Sequence, residues 1–140
     1  MGNPAIFPLI YSGASRDVVI VHINPISDDR VPRSAPEIFD RMNEISFNSS
    51  LMREMRAIAF VTRLVDEERL DPVRYQRMLV HAIRDDDEMR KHGAWSKLNP
   101  DRAFMQRLFT AGRAAADRWL IAHCDDVGER SSIDVVDTYL

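Results

Sequence analysis

The apolar positions of the chain follow two kinds of pattern, and together they predict an α/β protein that is predominantly helical. Asp17-Val18-Val19-Ile20-Val21-His22-Ile23-Asn24 is a β-branched run without polar alternation, as expected of a strand buried on both faces in a parallel sheet. Met78-Leu79-Val80-His81-Ala82-Ile83 is a second short apolar run. It is read as a second strand, although a piece of helix has the same length. Elsewhere the spacing is helical. Ile38, Phe39, Met42 and Ile45 form one stripe, and Leu51, Met55, Ile58, Val61 and Val65 form another. Asn48-Ser49-Ser50 lies between them and favours capping over a helix interior, so two helices with a break near residues 46–50 are expected. Asp85 to His92 predicts a short helix with an acidic start, or a turn, leading into Gly93. Asn99-Pro100-Asp101 opens the longest helix, with Phe104, Leu108, Ala115 and Trp119 on its apolar face and Gly128 as its stop. Unbroken from Pro100 to Val127, it would span about 42 Å. A short helix is also expected to start at Asn3-Pro4 and bend at Pro8.

The chain has 140 residues, the size of one ordinary domain. A net charge of -3 argues against a protein held to nucleic acid by phosphate neutralisation. The five glycines, at 2, 13, 93, 112 and 128, are too far apart for a Rossmann or phosphate-binding loop or for the Gly-x-Ser-x-Gly nucleophile elbow. Cys124 is the sole cysteine and can form neither an internal disulfide nor a multi-cysteine zinc site. No apolar run is long enough to span a bilayer, and no signal peptide is apparent, so a cytoplasmic protein is expected, either free or peripheral to the membrane.

This inventory leaves the sheet short of strands. A strand buried on both faces needs strand neighbours and covering layers, whereas the chain offers one such strand and a less certain second. Either another chain completes the sheet, or the sequence is the C-terminal part of a longer α/β protein.

Gly2-Asn3-Pro4-Ala5-Ile6-Phe7-Pro8-Leu9-Ile10, followed by the strand from Asp17 to Asn24, resembles the stretch after the Asp-Gly-Gly motif of bacterial patatin-like phospholipases. Ser96-Lys97-Leu98-Asn99, the segment Thr110 to Leu120 and the segment Gly128 to Val135 resemble the helical domain of unknown function appended to many of those proteins. The resemblance covers nearly the whole chain. It implies that one or two strands of the chain complete a three-layer α/β sheet, that residues 1–33 end a catalytic domain and that residues 34–140 form a mainly helical appendage. It also implies lipid ester hydrolysis by a Ser-Asp dyad, in which the aspartate takes the serine proton and the serine attacks the ester carbonyl. The sequence departs from the family by lacking the serine elbow, and the dyad aspartate would lie before Met1. No hydrolysis is therefore expected of this chain alone. The implied partners are a lipid or acyl ester, met through the full-length protein, and the missing catalytic region or a partner chain. A homo-oligomer is a further expectation, and no cofactor is. The competing reading is a stand-alone helical module that docks on a partner chain.

On the family reading, Gly2, Asn3 and Pro4 belong to the rim of the active site. Asn24 joins them because ligands of open α/β sheets gather at the carboxyl ends of strands. Helix capping explains Asn3, and a turn before Pro25 explains Asn24, about as well. Arg53, Arg56 and Arg63 occupy related helical positions and are candidates for a phospholipid head group, set against an ordinary solvated face. The histidines at 22, 81, 92 and 123 have no metal-ligand spacing and read as packed side chains. Gly112 with Ala114, Ala115 and Ala116 gives the long helix a small-residue stretch that admits close approach of a partner backbone.

Overall fold

A computed structural model describes residues 6–12, 15–71 and 73–140. In chain order the elements are α1 (Phe7–Ser12), β1 (Asp17–Val21), α2 (Ala35–Asp66), β2 (Leu79–Ile83), α3 (Asp86–Met89), α4 (Arg102–His123) and α5 (Val135–Tyr139), with short 3-10 turns at Ala94–Leu98 and Cys124–Asp126. The two strands pair in parallel, Asp17 opposite Leu79 through Val21 opposite Ile83. A parallel pair needs a long crossover, and α2 supplies it. The protein is thus mostly helical around a two-stranded parallel sheet.

Strand alternation distributes the helices to the two faces. Val18, Ile20, Met78 and Val80 point to one face, where they meet Leu51, Met55 and Ile58 of α2, with Ile6 and Tyr139 closing the cluster. His81 points to the other face, where its ring meets Trp119 of α4 edge-on at a centroid distance of 5.7 Å. β2 is therefore covered on both sides. Its outer edge is occupied too, since the Val80 N–H donates to Ser131 Oγ at 3.0 Å and the Val80 carbonyl accepts from the Ser132 N–H at 3.2 Å.

β1 is different, and here the expectation of burial on both faces is corrected. Val18 and Ile20 are buried, but Val19 is 48% and Val21 64% exposed. β1 is an edge strand packed closely through one face only; on the other, Asp17 is held by Gly128 while Val19 and Val21 stay about half exposed or more.

The expected break in the first helical region is also corrected: α2 runs through 32 residues, about 48 Å at 1.5 Å per residue. The residues that favour capping find partners without ending the helix. Asn48 is buried and donates through Nδ2 to the Pro25 carbonyl at 2.9 Å, and Ser49 Oγ bonds back to the Ser46 carbonyl at 2.9 Å. The true boundaries lie further out. Ser34 and Glu37 form a reciprocal capping box at the start. At the end, the Arg69 N–H bonds the Leu64 carbonyl and the Glu68 N–H bonds the Val65 carbonyl. That is a Schellman motif with Glu68 at φ 57°, in the left-handed conformation usually given to glycine.

α4 is capped by Asp101, whose carboxylate accepts from the Ala103 and Phe104 N–H groups, and it stops at His123, short of Val127. Asp126 sets that stop. It lies 2.8 Å from His123 Nδ1 and 2.6 Å from Arg130, which tightens the chain into a 3-10 turn. Gly128 follows with φ 81°, a conformation that glycine adopts at little cost. Pro8 sits in the first turn of α1 and not at a bend, while the Asn3-Pro4 helix start lies outside the described residues. The N-terminus of α1 is capped from α2, because Glu54 accepts from the N–H groups of Ile6 and Phe7.

At the start of the sheet one carboxylate ties three segments together. Asp17 Oδ1 accepts from the Gly128 N–H at 2.8 Å and lies 3.1 Å from His81 Nε2. These bonds, that from Gly128 foremost, hold the Asp17 carboxyl below its usual value of 3.8.

A cleft at the carboxyl ends of the strands as candidate functional site

Both strands run in the same direction, so their carboxyl ends open onto one place, where ligands of α/β sheets collect. A cleft of about 290 Å³ lies there. Val21, Ile23, Ile83 and Met89 line one part of it, and Leu108, Ala111, Gly112 and Ala115 of α4 line another. The four α4 residues lie at i, i+3, i+4 and i+7, one stripe of a helix. The small side chains of Ala111 and Ala115 keep the space open beside Leu108, and a Cβ at Gly112 would meet nothing within 4 Å.

Polar side chains border this space as well, among them Asn24, Asn43, Arg84 and Ser96. Asn24 lines the cleft and is only 7% exposed; its Nδ2 is buried and has no hydrogen-bond partner among the described residues. An unsatisfied buried donor costs about 1–3 kcal/mol. The acids at the rim are paired, Glu44 with Arg41 at 3.4 Å and Asp85 with Arg118 at 2.8 Å. His92 Nε2 lies 3.2 Å from Glu88. Lys97, carried by the turn Ala94–Leu98, places its ammonium 4.9 Å above the Phe47 ring, and no carboxylate pairs with it among the described residues.

Behind the cleft, His22 Nε2 and the Tyr139 hydroxyl share a hydrogen bond of 2.7 Å. Both are buried. Burial lowers the His22 imidazole from 6.5 and raises the Tyr139 hydroxyl to about 12, so both stay neutral at neutral pH. The unfolded chain takes up a proton on His22 near pH 6.5, whereas the folded chain resists doing so until lower pH. The unfolded state then holds more protons, and stability falls as pH drops below about 6.5. On the alkaline side the unfolded tyrosine ionises first, and stability falls as pH rises from about 10 towards 12. Urea unfolding between pH 5 and 8 tests the acid limb: His22→Gln is expected to flatten the slope, and an unchanged slope would refute the assignment to His22.

Of the candidates from the sequence, Asn24 is in the cleft, whereas Gly2, Asn3 and Pro4 lie outside the described residues. Arg53, Arg56 and Arg63 are exposed on α2 and do not line the cleft. α2 contributes Asn43 and Glu44 to it, and Arg53 lies about 14 Å further along the helix. The Arg63 guanidinium packs 5.5 Å from the Phe60 ring centroid. Sequence reasoning missed Asn43 and Lys97, which no spacing rule joins to Asn24 because they come from three separate segments. Among the described residues no three His, Cys, Asp or Glu side chains gather as metal ligands, and no helix is long and apolar enough to cross a membrane. No protein-family model matches the chain, and neither a curated protein nor a solved structure matches it.

Proposed function

We propose that this chain is the C-terminal portion of a patatin-like acyl hydrolase, in which it extends the catalytic sheet and walls the lipid entrance, while the Ser-Asp dyad comes from a segment outside the chain. The observation that carries this reading is the state of β1. Its outer edge bears no strand among the described residues, and Val19, Val21 and Ile23 leave an apolar strip exposed beside it. Parallel strands occur almost only with both faces covered, so such a strip calls for further sheet and a further layer. A mostly apolar cleft at the strand ends suits an acyl chain, which supports the hydrolase over a docking module alone.

Titrating the isotope-labelled chain with lysophospholipid micelles tests this reading. Amide shifts are expected at Val21, Asn24 and Gly112; an unchanged spectrum above the micelle-forming concentration would overturn it. A fluorophosphonate reagent is expected to leave every serine of the chain unlabelled. A labelled serine would place the nucleophile here and refute the division of labour.

A further inference from the structure

We infer that the cleft is a binding site for a medium-chain monocarboxylate, its carboxylate held by the Asn24 carboxamide and balanced by Lys97, its tail laid along α4 beside Gly112. The inference rests on the acyl-binding reading above and specifies the ligand class. Size suggests the length of the tail. A cleft of about 290 Å³, at about 30 Å³ for each water-sized group, is matched in volume by an acid of about octanoate's size.

Polarity sets the head group. Apolar surface predominates in the lining, although His22, Asn43, Arg84 and Ser96 also border it, and among the buried side-chain atoms of the described residues there Asn24 Nδ2 is the donor without a partner. Buried polar groups are nearly always satisfied by protein, water or ligand, and the broad two-fold torsion that carries a carboxamide lets the donor swing into the cleft. A ligand oxygen that accepts from it removes the cost of leaving it unpaired. Charge then selects an anion. Glu44 and Asp85 pair with Arg41 and Arg118 and Arg84 lies 3.8 Å from Asp86, so among the described residues Lys97 is the lining cation without a carboxylate partner. An apolar body with one anionic oxygen-bearing group answers all three features.

Calorimetric titration of the full chain with butanoate, octanoate and dodecanoate, with amide shifts to locate binding, tests the inference. Octanoate is expected to bind one site per chain, shifting Asn24 and Gly112, with the other two acids at least about tenfold weaker. Asn24→Leu, which keeps the number and branching of side-chain heavy atoms, is expected to raise the octanoate Kd about tenfold, equivalent to about 1.4 kcal/mol, while leaving 1-octanol unaffected. Gly112→Leu controls for folding: it fills open space and removes a glycine from a helix interior, so the protein should melt higher. It should nevertheless lose octanoate and keep butanoate. Tighter binding of dodecanoate, or octanoate affinity indifferent to both substitutions, would overturn the chain length and head-group assignment and leave the lipid-entrance reading standing. If no acyl compound binds at all, both fall.

Discussion

Met55→Ala is expected to lower the free energy of unfolding by about 3 kcal/mol and the melting midpoint by about 10 °C. Met55 is fully buried, at the centre of the cluster that joins α2 to Val18, Ile20 and Val80. Truncation removes three heavy atoms and leaves a cavity between a long helix and a sheet of only two strands. Few neighbours can shift to fill it, because both strands are held in register by their ladder. Small domains have about 5–15 kcal/mol in all, so a loss of this size is a large share. Met55→Leu nearly conserves volume and is expected to cost less than about 1.5 kcal/mol. Urea unfolding of the three proteins decides the matter. Equal losses for the alanine and leucine variants would mean that the cost is not one of cavity formation.

Asp17→Ala is expected to cost about 3 kcal/mol, since it strands the fully buried His81 imidazole and the Gly128 N–H at one stroke. Among the described residues His81 Nδ1 already has no hydrogen-bond partner, so the variant would leave the ring without one at either nitrogen. Asp17→Asn keeps an acceptor oxygen in place and is expected to cost about half as much. The pH dependence distinguishes loss of these bonds from a general weakening of the strand. The folded Asp17 carboxyl lies below its ordinary 3.8, so the wild type keeps this stabilisation above about pH 4 and loses it as pH falls towards the folded value. The gap between wild type and Asp17→Ala should therefore narrow below about pH 4. A gap that stays constant down to pH 3 would rule out the carboxylate as its source.

Local rules sufficed for several elements. The β-branched run at 18–21 could hardly be other than a strand, the second apolar run is a strand too, and their parallel pairing follows from the long helical crossover between them. The short acidic helix at Asp86–Met89 and the long one capped at Asp101 were legible from caps and periodicity. α5 was not, because its five residues are too few to carry a helical period and its stability comes from burying Tyr139 against α2 and His22.

The misjudged features share one physical cause. Asn48 and Ser49 are poor helix-interior residues by local preference, yet the Pro25 carbonyl and the helix's own Ser46 carbonyl receive their side chains, so α2 continues. Val19 and Val21 have the composition of a doubly buried strand, but burial depends on what stands opposite, and among the described residues nothing packs closely enough to bury them. The cleft belongs to the same class. Asn24, Lys97 and Gly112 are far apart in sequence, and only the parallel register, which sends both strand ends to one place beneath α4, sets them around a common space. Sequence by itself determined the elements whose apolar period is local, and from Asn24's place after a strand it also indicated which end of the sheet to search. The tertiary structure decided which faces are covered, where helices stop and which polar groups meet, because those depend on partners that no local pattern contains.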